Sequence, residues 1–216
     1  MKGRIVASRH EVMGKGQAER LFPMLEEVLA EIGAVWEELD AIAVGTGPGN
    51  FTGIRIAVSA ARGLALGLGV PAIGVTSFEA LRGPFHHADQ EPMIVSIPAS
   101  RKGMDVMLQY FENREPVGTP FELVIFGEGA IDQSFQGFPK LATVLGHEAA
   151  AIDWALQNDM GGGTYLEFGD RYGLAEMVAR VAVMKFAEGN IPRPAPLYIR
   201  PADAAPASDP PPVILP

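Results

Sequence analysis

The sequence predicts an α/β fold of two lobes, and three features carry that prediction. A short β-rich run at 40–45 leads straight into a glycine loop at 46–53. An apolar helix follows to about Leu68, and 70–75 returns as a second short strand. Strand, loop, helix and strand in this order make a right-handed βαβ unit around a buried parallel pair. Farther on, apolar runs at 93–97, 104–111, 121–126 and 141–145 alternate with Gly, Pro and polar punctuation and read as strands. The first lobe is therefore expected over 1–90, rejoined by a helix near 174–187, and a second, more β-rich lobe over 91–200.

Taken in order, Arg4–Ser8 reads as a strand. From Gln17 to Ile32 the residues Leu21, Leu25, Val28, Leu29 and Ile32 recur at helical spacing, with Glu19, Glu26, Glu27 and Glu31 mostly between them. Gly33 ends this helix. Pro23 removes a backbone donor inside the pattern, so the first turn should kink or the regular helix should begin near Phe22. In the helix from Thr52 to Leu68, Ala57, Ala60, Ala61, Gly63 and Gly67 keep the surface low, while Ile54, Val58 and Leu64 supply apolar area. Such a surface admits a partner helix, or it seats the helix on its own sheet. The late helix carries Leu174, Met177, Val178, Val181 and Met184 on one face, and 188–190 stops it. The stretch 201–216 is Pro-rich and reads as a disordered tail.

Composition narrows the function. With 216 residues the chain can bury a core without disulfide or metal staples. Asp and Glu outnumber Lys and Arg by 26 to 17, and the resulting charge of −9 argues against stand-alone binding of nucleic acid or an anionic membrane. Cysteine is absent, which removes a thiol nucleophile, iron–sulfur ligation and thiolate zinc sites together. The first residues lack the hydrophobic region of a signal peptide, so a cytoplasmic protein is expected. The most apolar window, 54–70, holds Arg55 and Arg62 and is too short and too charged to span a bilayer.

The catalytic inventory is thin. The loop Gly47, Pro48, Gly49, Asn50, Thr52, Gly53 lacks the Gly-Lys-Ser/Thr of a nucleotide-triphosphate cradle, and Thr52 stands where a third dinucleotide-fold glycine belongs. It reads as a tight turn that lets the next helix pack closely, with phosphate contact as the alternative. Histidine occurs at 10, 86, 87 and 147; the pair His86-His87 lacks the helical spacing that preorganises two imidazoles and reads as a solvated loop. Arg101-Lys102 reads as loop surface, and Asp153, Asp159 and Asp170 are scattered. No Gly-x-Ser-x-Gly elbow is present. No catalytic residue and no metal site are therefore assigned to this chain.

The segment from Ala41 to Arg55, continuing through Gly63–Gly67 and Val70-Pro71 to Gly74-Val75, resembles the TsaB (YeaZ) family. Glu19–Leu25 and Pro196–Arg200 are also similar to that family. The resemblance implies an actin/Hsp70-like (ASKHA) fold and a non-catalytic scaffold for placing threonylcarbamoyl on the adenosine beside the anticodon of certain tRNAs. It implies a catalytic paralogue, TsaD, as partner and a small ATPase, TsaE, as third member. ATP and a metal are then expected on the partner subunits, none on this chain alone, and tRNA is met only through the complex. A homodimer is open to the chain when alone. The implied interface is the helix pair, with Leu21, Leu25, Leu29, Ile54, Val58, Ala61 and Arg62 as its residues.

In the paralogue a His-x-x-x-His motif holds a metal; the matching positions here are Ser77 and Leu81, and neither offers an imidazole. Two departures stand out. The family usually opens with a hairpin that includes Asp-Thr-Ser and precedes the strand at Arg4–Ser8, and this hairpin is missing. Pro98–Lys102 replaces the Asp-Ala-Arg of many relatives. Rival readings are an M22-type metallopeptidase and a stand-alone ATPase.

Overall fold

Helix α1 (Gln17–Ile32) opens the regular structure and runs on through Pro23, ending where Gly33, at φ +67°, donates its N–H to Ala30 O. The computed structural model describes residues 4–83, 92–99, 105–126, 130–131, 142–156, 165–166, 173–189 and 191–199. The expected tail at 201–216 and the pairs His86-His87 and Arg101-Lys102 lie outside these residues. The strand expected at Arg4–Ser8 does not form. A strand exists only by pairing, and among the described residues that segment pairs with none of the strands.

β1 (Ile42–Gly45), α2 (Phe51–Leu68) and β2 (Ala72–Val75) make the expected unit, with β1 and β2 parallel from Ile42↔Ala72 to Gly45↔Val75. Alternation along the strands then decides which helix covers which face. Val44 meets Ile54, Val58 and Ala61 of α2. Ile73 and Val75 point the other way, toward Met177, Val178 and Ala182 of the late helix. Asn50 caps α2 by accepting the Gly53 N–H at 2.8 Å, and Gly69, at φ +70°, closes its end. α2 is long and apolar enough by composition to cross a membrane, yet one of its faces is seated on this sheet.

α3 (Ser77–Arg82) starts at a capping box: Thr76 Oγ1 accepts the Glu79 N–H at 3.1 Å, and the Glu79 carboxylate accepts the Thr76 N–H at 2.7 Å. The second sheet is built from β3 (Met93–Pro98), β4 (Val106–Glu112), β5 (Glu115–Leu123), β8 (Thr143–Gly146) and β9 (Tyr165–Leu166) in the order β5-β4-β3-β8-β9. β3, β8 and β9 are parallel, β4 runs against them, and β5, antiparallel to β4, runs with them again. The run expected as one strand at 121–126 divides between β5 and β6 (Ile125–Phe126), which pairs with β7 (Ala130–Ile131).

Helix α4 (Ala149–Leu156) covers one face over Ile94, Leu108 and Val144. The other face, with Met93, Val95 and Phe111, meets Phe78 of α3 and the strap 191–199 through Leu197 and Ile199. Helix α5 (Leu174–Glu188) returns to the first sheet. At the end of β8 only glycine is tolerated, because a Cβ on Gly146 would lie 2.0 Å from Ser96 O and its φ is +123°.

Candidate functional site

The glycine loop is stitched down at three points. Ser77 donates its N–H to Gly47 O at 2.7 Å and its hydroxyl to Pro48 O at 3.0 Å, and Leu197 donates its N–H to Thr46 O at 2.8 Å. Gly47, at φ +91°, precedes a cis peptide to Pro48, and a Cβ on it would lie 2.5 Å from Ile54 Cδ1. The missing side chain lets Ile54 press α2 onto the loop. Gly47, Pro48, Gly49, Asn50, Thr52 and Gly53 thus form the turn that seats α2, with Asn50 as its cap and Thr52 facing outward.

The same seating corrects the expected interface. Ile54, Val58 and Ala61 are buried against Val44 and are core residues, unable to meet another molecule without unfolding the lobe. The outward row of α2 is Arg55, Ser59, Gly63 and Gly67, spaced by four, with Leu66 85% exposed beside it. Arg62 is half-buried on the flank. The signal was available in the sequence, since a charge, a hydroxyl and two glycines at that spacing mark the face an apolar helix turns to solvent. Gly63 and Gly67 have nothing within 4 Å of where a Cβ would stand, so that surface is low and open.

On α1, Leu21, Leu25 and Leu29 are half-buried and no residue is fully buried. Phe22 and Ile32 are exposed. Between the helices lies a groove of about 570 Å³, floored by Ala60, Gly63 and Gly67 and walled by Phe22 and Trp36, with Glu26 and Glu37 at its rim. Charged residues tie down the approach to α1. Arg20 donates from Nε to Glu11 at 2.9 Å and from Nη1 to Glu27 at 2.7 Å, and Arg9 pairs with Glu31. The Arg20 hydrogen bonds hold both the Glu11 and Glu27 carboxyls below the usual carboxylate range, and the Arg20 pKa is pushed up in return.

The lobes also enclose a cleft of about 870 Å³ at the carboxyl ends of β3 and β8, lined in part by Pro48, Ser77, Leu81, Ser96 and His147. Ser77 and Leu81 stand one turn apart on α3 and both face this cleft. Ser96 donates its hydroxyl to His147 O, and His147 Nε2 lies 3.8 Å from Glu148 Oε1. Asp153 is buried in α4, and His10 is exposed and does not line the cleft. The described residues bring no side-chain base against a nucleophile.

Comparison with known proteins places this geometry. The sequence model described as TsaD, tRNA N6-adenosine threonylcarbamoyltransferase, matches residues 5–119. The tRNA threonylcarbamoyladenosine biosynthesis protein TsaB of Escherichia coli K12 is 28% identical over 204 residues, covering 90% of this chain and 85% of its own. The protein of the same name from Buchnera aphidicola is 33% identical over 155 residues, covering 71% and 70%. A solved Pseudomonas aeruginosa chain described as similar to peptidase YeaZ superposes with a TM-score of 0.60 at 23% identity, covering 89% of this chain and 88% of its own, which is a likeness of fold. With the first matched over more than half the chain and the Buchnera relative over most of both chains, this α/β, actin/Hsp70-like chain belongs to the TsaB (YeaZ) family.

Proposed function

We propose that this chain is the non-catalytic scaffold subunit of a tRNA threonylcarbamoyladenosine-forming assembly. In this reading it docks a TsaD-type threonylcarbamoyltransferase through α1 and the outward row of α2. The observation that carries the reading is the groove between them. An amphipathic helix with no buried residue runs beside a row of small residues that keep a path open for a third helix. Transferring half-exposed leucines and Phe22 out of water on docking supplies a favourable term of roughly 25 cal/mol per Å². ATP and the metal belong to the partner subunits, TsaE among them. The charge of −9 fits a chain that meets tRNA only inside the complex. Two copies pairing through the same groove would cover it when the partner is absent. Such an assembly works in the cytoplasm.

The test is co-purification with the threonylcarbamoyltransferase of the same source, followed by Gly63→Arg. That position is open to a side chain and helical, so replacing glycine there should leave folding intact or improve it by up to about 1 kcal/mol. A bulky cation in the groove floor should abolish co-purification and the support of threonylcarbamoyl transfer. If Gly63→Arg protein binds its partner and supports transfer normally, docking does not use this groove.

A further inference from the structure

Arg55 has an unusual setting for an exposed arginine. Its guanidinium carbon lies 3.7 Å from the centre of the Phe51 ring, its Nε donates to the Tyr198 hydroxyl at 2.8 Å, and the two rings lie 4.9 Å apart. Tyr198 is itself pinned. Leu197 before it is bonded to Thr46 O, and Leu197 and Ile199 on either side are packed into the second-lobe core. Stacking and the Nε bond therefore fix the plane of the guanidinium, while Nη1 and Nη2 have no partner among the described residues. An arginine side chain normally surrenders considerable rotamer freedom when it binds; here that ordering is already built into the free chain.

We propose that Arg55 is a pre-set fork that takes one carboxylate of the docked partner in a bidentate pair. This inference rests on the docking reading above and names the contact at one end of that surface. Arg55 begins the outward row that continues through Ser59, Gly63 and Gly67, so a helix lying along the groove brings its end beside the fork. A planar pair of N–H donors matches a carboxylate geometrically. A phosphate backbone matches the same fork, but a chain of charge −9 with Glu26 and Glu37 lining the adjoining groove repels a run of phosphates more than one carboxylate, which favours a single protein carboxylate. Arginine and tyrosine anchored beside apolar surface are also the residue types that dominate binding energy at protein interfaces.

The test is a binding titration of the purified threonylcarbamoyltransferase of the same source against the wild-type chain, Arg55→Met, Arg55→Lys and Tyr198→Phe. Trp36 in the groove wall serves as a fluorescence reporter. Arg55→Met keeps the stem and removes the fork, and should weaken binding by about 10- to 100-fold with thermal unfolding unchanged. Arg55→Lys keeps the charge and should recover little of the loss. Tyr198→Phe keeps both rings and frees only Nε, so a several-fold weakening from it establishes orientation even if a change at Arg55 disturbs folding. Wild-type affinity in both Arg55→Met and Tyr198→Phe overturns the proposal. If Arg55→Met leaves partner affinity intact but weakens tRNA binding by the assembled complex, the fork takes phosphate and the carboxylate assignment is wrong. If the wild-type chain does not bind the transferase at all, the docking reading falls and this inference with it.

Discussion

Helices α1 and α5 have nearly the same length, 16 and 15 residues, and each carries an apolar stripe at helical spacing, yet their surroundings differ. α5 lays Met177, Val178 and Ala182 against Ile73 and Val75 and closes a core. α1 buries nothing fully, and Phe22 and Ile32 remain exposed at its ends. An apolar stripe states that a helix needs a surface, but it does not say which molecule supplies it. For α5 the supplier is this chain; for α1 the proposed supplier is the partner. α2 joins the two cases in one element, with a core face toward β1 and an open face toward the groove.

The two faces of α2 give the sharpest way to break that comparison. Ala61 is 5% exposed against Val44, so Ala61→Arg forces a guanidinium into the first-lobe core with no carboxylate to receive it. A loss of more than about 4 kcal/mol is expected, enough to abolish cooperative urea unfolding followed by circular dichroism. The same residue introduced two positions later, at Gly63, should leave the unfolding curve in place. A soluble Ala61→Arg protein with a wild-type unfolding midpoint would mean that the inner face of α2 is not a core.

A smaller contrast separates the two stripes. Met177→Ala removes a side chain that is 6% exposed and should lower stability by about 2–4 kcal/mol through transfer and cavity terms together. Leu25→Ala removes a half-exposed one and should cost less than about 1 kcal/mol in the isolated chain while weakening partner binding. Equal destabilisation by the two substitutions would show that α1 is held by its own chain as firmly as α5.

These contrasts also explain what the sequence could reveal. The βαβ unit was legible because period, glycine punctuation and strand length agree over 40–75, and the end of α1 was legible because Gly33 stops a clean amphipathic pattern, although the helix already begins at Gln17 and takes in Pro23 rather than starting near Phe22. The side of α2 that faces the sheet was not legible from its apolar residues, since they occur all round the helix. Only the polar and glycine row at 55, 59, 63 and 67 marks the outside. α4 was missed because 149–156 is almost uniformly apolar and carries no periodic contrast. α3 is short, but its box of Thr76 and Glu79 was a readable start signal that went unused. The segment at 4–8 has strand composition but joins no sheet, and pairing is a tertiary fact.

The smallest expected effect concerns what ties α1 to the segment before it. α5 is held by apolar burial, which does not titrate, whereas the segment before α1 is clasped to it through Arg20, Glu11 and Glu27 at the surface. Both carboxyls sit below the usual carboxylate range, chiefly because each accepts a hydrogen bond from Arg20. In the unfolded chain they would take up protons near the ordinary glutamate value of about 4.3, while in the folded chain they stay charged to lower pH. The unfolded state therefore binds more protons through that window. The contribution of the clasp is fully present above it and is lost as the pH falls through the lowered values. Because the groups are solvent-facing, salt should weaken the clasp as acid does. Hydrogen exchange is the measurement that reads this element by element. On acidification below about pH 4, the amides of α1 should lose protection before those of α5, and Arg20→Met should show the early loss already at neutral pH and low salt. If α1 and α5 lose protection together at every pH in both proteins, the clasp contributes nothing separable, and α1 unfolds only with the lobe.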